Sequence, residues 1–228
     1  GGVGIGLAIE RVGPHRKEGG SVVAVAVVAL GGIWWWSASS RSQESALWEK
    51  FLAISFEAEL AKSASPDTLS TRTRLERELS AYLSVAADLE ALARANQGAP
   101  AVGWIRSAAG GALLAVGMRQ LYSDQPEARL TLLRAKAVYE DLMGTAIADE
   151  ELYDRIRYGI AQTCEALSIV ASRPELHHEY LSNAQEYYRD LAQNGKSSGI
   201  KRLAEYRLRI LSPIAGKTWE EGKKTPER

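Results

Sequence analysis

The sequence predicts an all-α protein, with a single N-terminal transmembrane helix followed by a solenoid of helical hairpins. Three observations carry that expectation. Residues 21–36 form the uncharged run SVVAVAVVALGGIWWW, the apolar residues from Ser42 onward recur with a helical period, and two helix pairs repeat at a fixed offset.

A helix through residues 21–36 would rise about 24 Å at ~1.5 Å per residue, against a hydrocarbon core of roughly 30 Å. The expected span is therefore drawn over 21–39. Arg16 and Lys17 close it on one side and Trp34, Trp35 and Trp36 on the other, where amphipathic indole rings suit the headgroup level. Two other readings stay open for the run: a secretory signal peptide cleaved near Ser37-Ala38-Ser39, and a buried strand or core helix. No second strand-like run follows to pair with a strand. Residues 1–20 form a juxtamembrane segment whose Gly2-Val3-Gly4-Ile5-Gly6 lacks the spacing and context of a dinucleotide loop. Arg11, Arg16 and Lys17 precede the run more densely than Arg41 and Lys50 follow it, which directs the large domain away from the cytoplasm. The first residue is Gly rather than Met, so the natural N-terminus is expected to be longer.

The 228 residues carry 28 basic and 28 acidic side chains, a balance that provides no field for nucleic acid. The single cysteine, Cys164, excludes an internal disulfide.

The helical domain is expected over 42–212, with a polar tail at 213–228. Its first helix begins at Ser42, with Leu47, Phe51, Ile54, Ala58 and Ala61 on one face and a turn at Pro66-Asp67 after it. The second carries Leu75, Leu79, Tyr82, Ala86, Leu89 and Ala93 and ends at Asn96-Gln97-Gly98. The third runs from Val102 to about Tyr122 with Gly110-Gly111 inside it, a cost that a close helix–helix approach would offset. Asp124 and Pro126 open the fourth, which Gly144 ends. Asp149 caps the fifth, Pro174 opens the sixth and Asn194-Gly195 ends it. Ser198 caps a seventh, which Pro213 stops.

The repeat lies in the later helices. Ala135, Tyr139, Asp141 and Leu142 match Ala184, Tyr188, Asp190 and Leu191 at an offset of 49 (184 minus 135). Trp104 then matches Tyr153, Gly110 matches Gly159 and Ala112 matches Ala161, and Ala204 and Leu208 continue the apolar stripe. Hairpins of this kind bury one face against the next hairpin, and none has a full core alone. Gly110 and Gly159 are therefore expected in the first helix of each pair, facing a neighbouring second helix. Gly195 is expected in a turn whose backbone strain excludes a side chain.

The stretch Tyr158–Leu167, then Ala184-x-x-x-Tyr188, then Ala204-Glu205-Tyr206-Arg207-Leu208 resembles the tetratricopeptide-like (TPR-like) pattern of bacterial membrane-tethered proteins. With the basic flank, the span ending in tryptophans and the following SRSQESALWEKFLAIS, the chain is similar to the ancillary subunit of the bacterial Sec translocon. That resemblance implies a single-pass protein of the bacterial inner membrane with a periplasmic TPR-like domain. It also implies protein partners, among them a membrane complex or translocon, and contact with the lipid bilayer through 21–39.

Chemistry has little to stand on. His177 and His178 are adjacent and diverge by about 100° on a helix, so they cannot chelate one ion together. Asp149, Glu150 and Glu151 suit the positive end of a helix dipole. Cys164 reads as a small core residue, and Tyr139, Tyr187, Tyr188 and Tyr206 as repeat core. No catalytic, cofactor-binding or metal-binding residue is assigned and no nucleic acid is expected. An enzyme would have to assemble Glu150, Glu151, His177 and His178 across neighbouring helices. The expected function is a non-catalytic, membrane-tethered scaffold for protein interactions; the alternative is an accessory subunit of a larger membrane complex.

Overall fold

The computed structural model describes residues 42–63, 71–145 and 147–215. Within them lie seven helices and no strand: α1 Ser42–Ser63, α2 Thr71–Ala95, α3 Val102–Gln120, α4 Gln125–Met143, α5 Glu150–Ile169, α6 Pro174–Asn194 and α7 Ser198–Ala215.

The expected fold class needs correction. The described residues are all-helical, but among them no helix is long and apolar enough to cross a membrane. Even α3, the most apolar of them, carries Arg106 and Arg119 and spends its apolar residues on packing against other helices. The expected transmembrane helix at 21–39 lies outside the described residues, as do the segment 1–20 and the interfacial residues Arg16, Lys17, Trp34, Trp35 and Trp36.

Local sequence explains where the helices start and stop. The Asp124 carboxylate accepts from the Glu127 amide at 3.1 Å, with Pro126 in the first turn where no N–H is needed. Asp149 accepts from the amides of Glu151 at 2.9 Å and Leu152 at 3.1 Å. After α2 the chain turns through Gly98 at φ 141°, a left-handed conformation that favours glycine. The last helix continues past Pro213 to Ala215, because a proline in a final turn removes one backbone bond without ending the helix.

Each helix packs on the next, and α5 also packs on the alternate helices α3 and α7. The core is correspondingly elongated. One apolar cluster joins α1 to α4 with the end of α5, a second joins α4 to α7, and Trp104 and Tyr180 pack against both. Among the described residues, α3, α5 and α7 thus make one layer of the stack. Between α4 and α6 a cleft of about 350 Å³ opens over α5.

Small residues let the layer close. A Cβ built on Gly110 of α3 would lie 2.9 Å from the Tyr139 ring, and one on Gly159 of α5 would lie 2.4 Å from it. Tyr139, from α4, is therefore wedged between the two glycines and left 4% exposed. The repeat relates Gly159 to Gly110, yet both meet the same tyrosine, and Tyr188 instead meets the Tyr158 ring at 5.7 Å between centroids. Gly195 differs from expectation: its φ is −58°, open to any residue. What excludes a side chain there is the Leu191 carbonyl oxygen, 2.5 Å from the built Cβ.

Candidate functional site

The central helix α5 is buried on most of its circumference. Beyond its first turn it reaches solvent along one stripe, Arg155, Tyr158, Gln162, Glu165 and Ile169, at alternating steps of three and four residues. Its neighbour α3 reaches solvent along Trp104, Ala108, Gly111, Ala115 and Met118 with the same spacing. The two stripes adjoin: the Arg155 guanidinium lies over the Trp104 ring, 5.4 Å from its centroid, and the Tyr139 wedge fills the seam between the helices. The result is a surface with the small residues Ala108, Gly111 and Ala115 along the middle of α3 and mostly polar or aromatic ones along α5.

One end of this surface is held by Asp149. Its second carboxylate oxygen accepts from the Trp104 indole N–H at 3.1 Å while the first caps α5, which fixes the ring against the helix start. Burial lowers the pKa of Arg155, opposed by the nearby Tyr139 and Glu151. Burial likewise raises the Tyr139 phenol well above its usual value.

The next step of the stack is a closed polar network. Glu165 of α5 accepts from the Tyr188 hydroxyl of α6 at 3.0 Å and from Arg207 of α7 at Nε, 3.1 Å, and again at Nη2. Desolvation raises the Tyr188 phenol, with Glu165 adding to the effect. A second network ties the far end of the hairpin. The buried Asp154 accepts from Arg157 at 2.7 Å, from the Ser197 amide at 2.8 Å and from the Lys196 amide. Arg157 also pairs with Asp190 and lies 4.8 Å from the Tyr153 ring centroid. Sequence reading assigns no role to these charges, because nothing in a single helix says that a carboxylate will face two other helices.

The structure places the remaining expected positions one by one. Ala135, Ala161, Ala184 and Ala204 are fully buried, Tyr188 is buried, and Leu208 packs at the edge of the second cluster. Tyr153, matched to Trp104 by the repeat, is exposed. The cleft between α4 and α6 is lined by Lys136, Glu140, Cys164, Glu186, Tyr187 and Asp190 among others, and burial pushes the Cys164 thiol up to about 11.

The four residues that an enzyme would need are not brought together. Glu150 and Glu151 stand at the start of α5, whereas His177 sits at the other end of the hairpin, where its Nδ1 is 2.8 Å from the Ser168 carbonyl. His177 and His178 pack ring against ring at 5.5 Å. Among the described residues no group of three or more His, Cys, Asp or Glu side chains could hold a metal ion. No protein-family model, curated protein or solved structure matches the chain.

Proposed function

We propose that this protein is a non-catalytic scaffold for protein interactions, and that it presents the joined surface of α3 and α5 to its partners. The observation that carries the reading is the pair of solvent-reaching stripes on two otherwise buried helices. A stack of hairpins makes an extended face of this kind, and extended faces bind peptides or subunits without a reactive group. Trp104 and Tyr158 provide aromatic contact area, Arg155 provides a cation, and the small residues of α3 leave room for a backbone to approach.

A second reading, an accessory subunit built permanently into a larger assembly, draws on α7. Leu203, Tyr206 and Ile210 recur along that helix and are 50%, 57% and 38% exposed. Large apolar side chains recurring on an exposed helix face ordinarily mark a contact with a partner.

Affinity purification of the tagged protein from its source cells tests the first reading. Gln162→Arg, on the α5 stripe, is expected to lose co-purifying proteins that Glu186→Arg, on the opposite cleft, retains. Equal recovery by both variants sinks the assignment of the face. Stoichiometric recovery of one fixed complex, insensitive to Gln162→Arg, supports the accessory subunit instead.

A further inference from the structure

We propose that the outward face of α7 is the seat of one amphipathic helix from a partner protein, apolar along its middle and acidic along one edge. The proposal rests on the second reading above, in which a partner is held at α7, and adds the form and charge of what is held.

The first observation is the place of α7 in the stack. α3 pairs with α4 and α5 pairs with α6, and these two pairs make the most extensive helix contacts among the described residues. α7 begins 48 residues after α5, as α5 begins 48 residues after α3 (198 minus 150 and 150 minus 102), so it takes the first position of a third pair. Among the described residues that third pair has no second helix.

The second observation is what the second helix covers in the earlier pairs. Leu203, Tyr206 and Ile210 stand 49 residues after Asp154, Arg157 and Ala161 of α5 (203 minus 154). Those three are buried. The hairpin partner α6 closes over them: its Asp190 pairs with Arg157, and the turn that follows it bonds Asp154 through the Lys196 and Ser197 amides. One pair earlier the same positions are Ile105, Ala108 and Ala112 of α3, and Ile105 and Ala112 are buried in the cluster shared with α4. On α7 this face stands exposed, and there it carries a large apolar side chain at all three positions. Apolar anchors at i, i+3 and i+7 are the spacing by which one helix receives another.

Charge identifies the incoming helix. Arg202 and Arg209 are exposed along one edge of the apolar stripe, and Glu205, one turn from each, offsets one of them. The edge is left net positive, so Asp or Glu residues along the matching edge of a partner helix are steered and registered by it. A second copy of this chain fits less well. In an antiparallel pairing about Tyr206, Arg202 of one copy meets Arg209 of the other, and like charges repel. Residues 216–228 of the chain itself bring one large apolar residue, Trp219, and no net negative charge. An anionic membrane would also meet the arginines, but the stripe repeats the seat that α6 fills on α5, which is a helix's place.

The test puts a photoreactive benzoylphenylalanine in place of Tyr206 in the full-length protein in its source cells, and sequences the crosslinked peptides. The expected result is one segment of a different protein, apolar at i, i+3 and i+7 with Asp or Glu beside that stripe. Made as a synthetic peptide, the segment should bind the Arg202→Glu, Arg209→Glu double variant at least about tenfold more weakly than the parent. Replacing the peptide's acidic residues by lysine should restore binding to the double variant and weaken it to the parent. Both arginines are exposed, so the double variant is expected to melt with the parent. Crosslinks to a second copy, to residues 216–228 or to a segment without acidic residues overturn the proposal, as do no crosslinks or equal affinity for parent and double variant. Flotation with phosphatidylglycerol vesicles that the double variant loses would give the face to a membrane and overturn it too. If the tagged protein still recovers one fixed complex in any of these cases, the accessory-subunit reading survives and only the helix seat falls.

Discussion

Replacing Gly159 by leucine should destabilise the stack through one identifiable contact. The built Cβ already lies 2.4, 2.7 and 2.8 Å from three ring atoms of Tyr139, inside any tolerable separation. The ring cannot retreat, because a Cβ on Gly110 would stand 2.9 Å from its other side. Leucine adds three carbons beyond that Cβ, which places the overpacking cost near the upper end of the usual range, about 3 kcal/mol. The gain in helix propensity over glycine returns roughly 0.8 kcal/mol. A net loss of about 2 kcal/mol corresponds to a melting temperature lower by about 4–8 °C for a protein of this size. Melts by far-UV circular dichroism of the parent, Gly159→Leu, Tyr139→Ala and the double variant complete the cycle. The leucine penalty should shrink or change sign once Tyr139→Ala removes the ring, since the side chain then fills the space that the ring left. A Gly159→Leu protein that melts at or above the parent, or a penalty unchanged in the Tyr139→Ala background, refutes the wedge.

Glycines elsewhere predict different signs under the same melts. Gly199→Ala in α7, whose built Cβ meets nothing within 4 Å, should stabilise by up to about 1 kcal/mol, whereas Gly195→Ala should destabilise through the Leu191 carbonyl. Asp154→Asn should cost about 3 kcal/mol in urea unfolding, because it leaves Arg157 without its buried carboxylate and weakens the hold on the Lys196 and Ser197 amides. Burial pushes the Cys164 thiol up from an ordinary value of 9.0 to about 11. Its contribution to stability is therefore fully present below pH 9 and is lost as pH rises towards 11, because the unfolded thiol ionises first. Urea midpoints measured across that interval should fall more steeply for the parent than for Cys164→Ala.

The helices were legible in the sequence wherever a local signal ends them. Asp124 and Asp149 are capping residues that act within their own turn, and Gly98 adopts the one conformation that its neighbours cannot. The repeat identified Tyr139 and Tyr188 as equivalent but could not say what each would touch. That depends on how the hairpins stack: Gly159 closes on the tyrosine before it, while Gly110 closes on the tyrosine after it. The polar networks were hidden for a related reason. Glu165 and Asp154 look like solvated positions on an amphipathic wheel, and only the arrival of α6 and α7 surrounds them with donors. Arg155 was hidden too, since the Trp104 ring that it covers comes from another helix. The apolar run at 21–39 dominated the sequence reading, yet it lies outside the described residues, and the helices that are described hold their apolar side chains against one another.

The central claim is that partners meet the face formed by α3 and α5. Site-specific photo-crosslinking in the source cells tests it most directly, with the probe placed either at Gln162 on the α5 stripe or at Glu186 in the cleft between α4 and α6. The account predicts discrete crosslinked species from Gln162, reduced by Arg155→Gln, and none from Glu186. Crosslinks from Glu186 alone would contradict it.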